Sequence, residues 1–195
     1  MIQDADRAIL YCSAVELVDD NLNSIEFSYF PDAKPSFNNA LVENIVTGCT
    51  AVLNTNSLRL IKNNIPDFCL MHDWWMYLVI SSFGTIIYDT ESGIKYRQHA
   101  NNVVGIKGNR FSRQYDKVKR FIKRKDRNLL IKQAYEFDRL FYKGNKKIQN
   151  AELSAFINHR NSIGNAMKYS KNMKVYRQNL VDNIFLKLLV FLKLI

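Results

Sequence analysis

The chain has 195 residues, of which 47% are hydrophobic and 12% aromatic. This is enough apolar material for one medium domain with a core, so globally disordered and low-complexity classes are excluded. The three cysteines form no C-x-x-C pair, which excludes a disulfide scaffold and a cysteine zinc site and fits a reducing cytosol. No basic segment followed by an apolar run stands near the start, so we expect no secretory signal and a cytoplasmic location.

The net charge of +10 is distributed unevenly along the chain. Residues 1–104 carry a net charge of −6, whereas residues 105–195 carry +16. A segment this basic indicates an anionic partner, which could be nucleic acid, an anionic membrane face or phosphates. The change of charge and of hydrophobic period predicts two regions, 1–106 and 107–195, the second a helical basic tail.

The front half is predicted to alternate short strands and helices. Strands are predicted at residues 8–15, 45–53, 85–88 and 93–96. Residues 19–40 are predicted to form a long loop with at most short helical turns. Asn56 and Ser57 are expected to cap a short helix, and a second, apolar helix is predicted over 73–83 with Gly84 as its C-terminal cap. This order is typical of an α/β or α+β layer fold.

The back half changes to a helical period. Apolar residues at spacings of three and four predict an amphipathic helix over 118–141, with a basic face over 117–125. A second helix is predicted around residues 153–167, weakened by Gly164, and a third stretch ends in residues 183–195. As a helix, this end would be roughly 20 Å long, whereas a bilayer core is about 30 Å thick, so we do not expect it to span a membrane.

Two interpretations of residues 183–195 stay open. The apolar side chains could sink into an anionic membrane interface while lysines reach the headgroups, or this end could pack against the rest of the protein as a buried helix. The residues concerned in the first case are Phe185, Leu188, Leu189, Phe191 and Leu192, with Lys187 and Lys193.

Residue types that carry chemistry are concentrated between residues 45 and 105. Met71-His72-Asp73-Trp74-Trp75 stands at a loop-to-helix junction, Tyr96-Arg97-Gln98-His99 ends a strand, and Gly48 would let the backbone approach a ligand closely. Each feature also has a purely structural interpretation. Asp73 could cap the helix, the two tryptophans could be core residues, and Gly48 could mark a β-bulge.

In this order, these motifs resemble the C-terminal half of family 2 glycosyltransferases, in particular the rhamnosyltransferase-like branch that builds bacterial cell-surface polysaccharides. The resemblance covers about residues 5–105 and includes Thr47-Gly48-Cys49-Thr50 and Asn102-Val103-Val104-Gly105. It implies an α/β fold with a partial GT-A sheet, followed by an α-helical basic C-terminal region. It also implies inverting transfer of a sugar from a nucleotide-sugar donor to a saccharide or lipid-linked acceptor.

The resemblance also implies roles for single residues. Asp73 matches the general base, which must take a proton because a sugar hydroxyl is a poor nucleophile. His99 matches a residue that completes a divalent-metal (Mg²⁺ or Mn²⁺) or diphosphate site, where positive charge stabilises the departing nucleotide diphosphate. The implied substrate-binding residues are Gly48, Thr50, His72, Trp74, Trp75 and Arg97.

Family members also have an N-terminal nucleotide-binding half that ends in an Asp-x-Asp strand, and we expect this half to lie outside the present chain. Asp4-Ala5-Asp6 precedes an apolar strand instead of ending one, so we do not assign it the metal-binding role. A separately encoded N-terminal half is therefore an expected partner. The resemblance also implies a location at the inner face of the cell membrane.

Two other functions stay open. The chain could be a non-catalytic glycosyltransferase remnant or membrane-peripheral partner, or its basic tail could make it a nucleic-acid-binding module. The tail contains no helix-turn-helix, RNP or zinc pattern, so we expect no specific nucleic-acid partner.

Overall fold

The computed structural model of the protein describes residues 7–27, 31, 33–98, 128–143 and 150–195. Within these ranges the chain is mixed α/β, which confirms the predicted class at that level, and it forms six strands and seven α-helices. The strands are β1 (Ile9–Ser13), β2 (Glu16–Val18), β3 (Ser24–Phe27), β4 (Val52–Leu53), β5 (Thr85–Asp89) and β6 (Lys95–Arg97). The helices are α1 (Phe37–Ala40), α2 (Thr55–Lys62), α3 (His72–Phe83), α4 (Leu129–Phe141), α5 (Ala151–Asn158), α6 (Ile163–Asn172) and α7 (Leu180–Phe191).

The strands form two three-stranded sheets. In the first, β1 lies between antiparallel β4 and parallel β5, and in the second, β2 lies between antiparallel β3 and parallel β6. Ala14 N donates to Asp89 O (2.9 Å) just after the β1–β5 pair, and Glu16 N donates to Ile94 O (3.0 Å) just before the β2–β6 pair. The same two stretches of chain are therefore hydrogen-bonded in the first sheet and in the second. Both strands predicted after α3 are confirmed, and each pairs with a front strand and not with the other.

Two front-half predictions are wrong. Residues 19–40 contain strand β3 in addition to the short helix α1. The four β3 residues are all exposed, but they alternate polar and apolar residue types, so the sequence did carry a short strand signal among its polar neighbours. Residues 45–53 are not one strand, because a 3₁₀ turn at Gly48–Thr50 interrupts them and only β4 pairs. A hydrogen bond to the distant Asp73 side chain holds this turn.

The N-cap of α2 is Asn54, so the prediction of Asn56 and Ser57 as caps is wrong. The Asn54 side chain accepts a hydrogen bond from Ser57 N (2.9 Å) and another from Ile9 N (3.1 Å). Its role as cap therefore depends on β1, a distant part of the sequence. By contrast, α3 ends at Phe83 with Gly84 as its C-cap, as predicted.

The core is built on α3. This helix is apolar on nearly all sides, and Tyr77, Leu78 and Ile80 are fully buried. Phe137 of α4 is also fully buried, and its ring lies 6.1 Å from that of Trp75, centroid to centroid. The predicted region boundary at residue 106 lies outside the described residues and stays a prediction.

The helix predicted over 118–141 is confirmed for residues 129–141, which form α4 after the N-cap Asn128. Residues 118–127 and the basic face predicted over 117–125 lie outside the described residues. The single helix predicted around 153–167 is wrong. A 3₁₀ turn at His159–Asn161 separates α5 from α6, and the Ser162 side chain caps α6 by accepting from Asn165 N (3.0 Å). The break therefore comes from this cap and precedes Gly164.

The C-terminal helix α7 has features of both interpretations considered for it. Leu189 is buried, whereas Leu188, Phe191 and Leu192 are about half exposed. One side of α7 is therefore core and the other is open. None of the helices in the described ranges combines the length and apolar character that crossing a bilayer requires.

The buried His159 predicts a dependence of stability on pH. Its ring packs against those of Phe156 and Tyr169, at centroid distances of 5.9 and 5.5 Å, and these two rings also contact each other. Burial lowers the pKa of the imidazole below its ordinary value of 6.5, because the charged form loses hydration. Below pH 6.5 the unfolded state therefore binds more protons than the folded state, and the free energy of unfolding is expected to fall as the pH drops further.

Urea unfolding at a series of pH values on either side of 6.5 measures this effect. His159→Gln removes the titrating group and should flatten the slope. A slope that His159→Gln does not alter would contradict the assignment.

Candidate functional site

The candidate site lies where the 3₁₀ turn at Gly48–Thr50 meets the first turn of α3. Gly48 N donates to Asp73 Oδ2 (3.1 Å), and Trp74 N donates to Asp73 Oδ1 (2.8 Å). Asp73 is 5% exposed and stands at a helix N-terminus, where the helix dipole favours negative charge. A carboxylate has about four acceptor positions, and the two backbone donors occupy two of them.

Gly48 allows the close approach of the turn to α3. A Cβ atom at this position would lie 2.9 Å from His72 Nε2 and 3.4 Å from Asp73 Oδ2. The turn, the imidazole and the carboxylate therefore meet at Gly48, where the space beside the Cα atom fits a hydrogen atom and not a side chain. The structure thus brings together three of the predicted site residues, although the bonded pair is 25 residues apart in the sequence.

Thr50 fixes the turn to the sheet. Its hydroxyl donates to Thr47 O (2.8 Å) and accepts from Ser13 N (3.2 Å), at the end of β1. The side chain is buried. Thr50 therefore positions the backbone of the turn.

The two tryptophans have different surroundings. The Trp74 indole Nε1 donates to Ala40 O (2.6 Å), so the half-buried ring is anchored to the end of α1. Trp75 is 3% exposed and packs against Phe137 and Phe141, with centroids 6.1 and 6.4 Å away. Trp75 therefore belongs to the core and presents no open ring face to a sugar.

Of the two residues predicted for diphosphate or metal binding, the structure describes Arg97. Arg97 lies on β6, in register with Val18 of the second sheet. His99 lies outside the described residues. Among the residues that the structure does describe, no group of three or more His, Cys, Asp or Glu side chains is placed to hold a metal ion.

Sequence reasoning missed Cys69, which stands on the loop that enters α3. Burial, and after it the nearby charge of Asp73, raises the pKa of the Cys69 thiol. The thiol is therefore a neutral neighbour of the carboxylate at pH 7. Its position four residues before Asp73 was the one available signal.

Sequence reasoning also missed the support of this loop by α4. Leu70 N donates to Gln133 Oε1 (2.9 Å), and Asp67 N donates to Glu136 Oε1 (2.6 Å). Arg139 donates two hydrogen bonds to Glu136 (2.8 and 2.6 Å), and this pairing lowers the pKa of the Glu136 carboxyl. Two buried polar side chains of the back half therefore hold the loop that leads into the site.

Gly48→Ala is expected to disturb the site with little effect on stability. The added methyl group meets the far end of the exposed His72 side chain, which can turn away without moving backbone. We expect the free energy of unfolding to change by less than about 1 kcal/mol, while the His72 ring resonances shift in an NMR spectrum.

Gly93→Ala is the matched control, because a Cβ atom there has no neighbour within 4 Å. It should change neither quantity appreciably. A loss of several kcal/mol in Gly48→Ala alone would mean that the turn itself cannot accept a side chain.

The arrangement is suited to accepting a proton. A carboxylate held by two backbone donors beside an imidazole can orient a hydroxyl group and receive its proton. The carboxylate, its two backbone donors and the imidazole are all in the described part of the site, and proton transfer from a hydroxyl needs no further residue. No protein-family model, no curated protein and no solved structure matches this chain.

Proposed function

We propose that the protein carries the acceptor side of a glycosyltransferase active site, with Asp73 as general base. The observation that carries this proposal is the contact of Gly48 with His72 and Asp73. These residues belong to two of the separate motifs on which the glycosyltransferase resemblance rests. Their meeting supports a common site for both motifs.

In the proposed reaction, an acceptor hydroxyl donates its proton to a free lone pair of the Asp73 carboxylate. The hydroxyl oxygen attacks the anomeric carbon of the nucleotide-sugar from the face opposite the diphosphate. The bond from that carbon to the diphosphate oxygen breaks, and the nucleotide diphosphate leaves with the bonding electron pair. The anomeric configuration is inverted. The two backbone donors to Asp73 fix the direction of the carboxylate, which is the orientation that proton transfer requires.

Mg²⁺ or Mn²⁺ would supply positive charge to the departing diphosphate in an enzyme of this kind. The described residues do not offer a ligand set for such an ion, and His99 lies outside them. The steps above therefore use the protein's own groups.

A non-catalytic role is the second candidate, and one observation favours it. Each oxygen of Asp73 accepts a backbone N–H, an arrangement that by itself would clamp the start of α3 to the Gly48 turn. In that case the carboxylate would serve stability alone. Transfer assays separate the two candidates.

The test measures transfer of radiolabelled sugar from UDP-, GDP- and dTDP-sugars to free and lipid-linked saccharides, with Mg²⁺ or Mn²⁺. It uses the 195-residue chain alone and the chain joined to the nucleotide-binding half of a family 2 glycosyltransferase. We expect transfer by the joined form and weak or no donor binding by the chain alone. A folded joined form that binds donor but transfers no sugar to any acceptor would overturn the proposal and favour the non-catalytic role.

A further inference from the structure

One face of α7 exposes a row of apolar side chains. Its members, together with the C-cap of the helix, are between 46% and 73% exposed: Leu180, Val181, Ile184, Leu188, Phe191 and Leu192. At 3.6 residues per turn they fall within an arc of about 120°. Leu186, Leu189 and Val190 lie outside this arc and are buried. Helix α6, which packs against α7, also exposes Ile163 and Met167. We call these eight residues the α6–α7 apolar face.

The segment that carries this face is cationic. Residues 163–195 contain six Lys or Arg and one acid, Asp182, which is 6% exposed. The exposed cations are Lys168, Lys171, Lys174 and Lys187. On the helical projection Lys187 lies about 20° outside the apolar arc, beside Leu180. The surface therefore combines apolar side chains with positive charge, and this segment exposes no carboxylate to offset it.

We propose that the α6–α7 apolar face docks the protein on the surface of an anionic membrane leaflet. In this arrangement α7 lies in the plane of the interface, its exposed apolar side chains enter the boundary of the acyl chains, and the bordering lysines contact lipid phosphates. The proposal does not rest on the glycosyltransferase assignment.

Charge complementarity selects a lipid surface over a second copy of the chain. Two copies that joined through this face would bring their cationic segments together, and like charges at an interface oppose association. An anionic leaflet instead offers counter-charges at the height of the lysines and an apolar layer directly below them.

Co-sedimentation of the full chain with vesicles tests the proposal. The vesicles contain phosphatidylcholine alone or phosphatidylcholine with phosphatidylglycerol, each at low and high salt. We expect binding to the anionic vesicles that weakens in high salt. A double substitution, Ile184→Glu with Leu188→Glu, should weaken binding by at least about tenfold, because two apolar side chains no longer leave water.

Ile65→Glu is the matched control, since Ile65 is 71% exposed and lies outside the α6–α7 apolar face. It should bind vesicles like the unsubstituted protein. Circular dichroism checks that each variant is folded. If the double variant is not, Lys168→Glu with Lys187→Glu decides, because both side chains are exposed and the change should abolish the preference for anionic lipid.

Three results would overturn the proposal. One is the absence of binding at every lipid composition, and another is a folded double variant that binds as well as the unsubstituted chain. The third is a concentration-dependent dimer, seen by analytical ultracentrifugation, that the double substitution dissociates while no vesicle binding occurs. That last result would assign the face to a second copy of the chain.

Discussion

Asp73→Asn is expected to lower the rate of sugar transfer by about 10²–10⁴-fold, because an amide cannot accept the proton of the acceptor hydroxyl. The measurement is the initial rate in the form joined to a nucleotide-binding half, at saturating donor. Binding of the donor nucleotide should stay largely intact, since Asp73 is proposed to act on the acceptor.

The same variant measures how much of the role of Asp73 is structural. The asparagine oxygen can keep one of the bonds from Gly48 N and Trp74 N, and its NH₂ group faces the other donor. We therefore expect the free energy of unfolding to fall by about 1–3 kcal/mol. Asp67→Asn is the control for the loss of a nearby charge, because its side chain is 85% exposed and its ion pair with Arg139 (2.9 Å) lies at the surface, where such pairs contribute about 0–1 kcal/mol. A transfer rate within a few fold of the unsubstituted protein would refute Asp73 as the base.

Gly84→Ala is expected to lower the stability of the protein far more than Gly48→Ala or Gly93→Ala. A Cβ atom at Gly84 would lie 2.2 Å from Ala8 O, which is the carbonyl that accepts a hydrogen bond from Thr85 N (2.9 Å). Because this atom is backbone, relief of the clash must move β5 away from β1, and β1 contributes fully buried side chains to the core. We expect the free energy of unfolding to fall by about 3 kcal/mol, measured by urea denaturation.

Gly93→Ala serves again as the matched control and should lie within about 0.5 kcal/mol of the unsubstituted protein. Equal stability of Gly84→Ala and Gly93→Ala would show that β1 and β5 can separate without cost. That result would contradict the register that places Ile9 opposite Thr85.

Elements with a local signal could be predicted from the sequence. Strands β1 and β5 are short apolar runs, and α3 is an apolar helix that ends at a glycine. The features that were missed depend on partners outside their own segment. Strand β3 pairs with β2 although its own residues are exposed, and the cap Asn54 is chosen by its bond to β1.

The candidate site follows the same division. The motifs pointed to Gly48 and Asp73, but the hydrogen bond between them joins residues 25 apart in the sequence, and only the fold shows it. The hydrogen bonds from the loop before α3 to Gln133 and Glu136 could be anticipated from one feature of the sequence. Both are polar residues on the apolar stripe of α4, where they are buried. A polar residue at a core position indicates a bonding partner, although the sequence does not say which.

The bonds from α4 to the loop before α3 also bear on how this chain can change during evolution. Asp67 N and Leu70 N find their acceptors on Glu136 and Gln133, more than sixty residues later. A recombination event that replaced the back half with that of a distant homologue would leave these two donors facing a foreign helix, at a cost of about 1–3 kcal/mol for each donor left unpaired. Because the donors are backbone N–H groups, any residue except proline at positions 67 and 70 keeps them, so the constraint falls on positions 133 and 136, which must keep acceptor side chains.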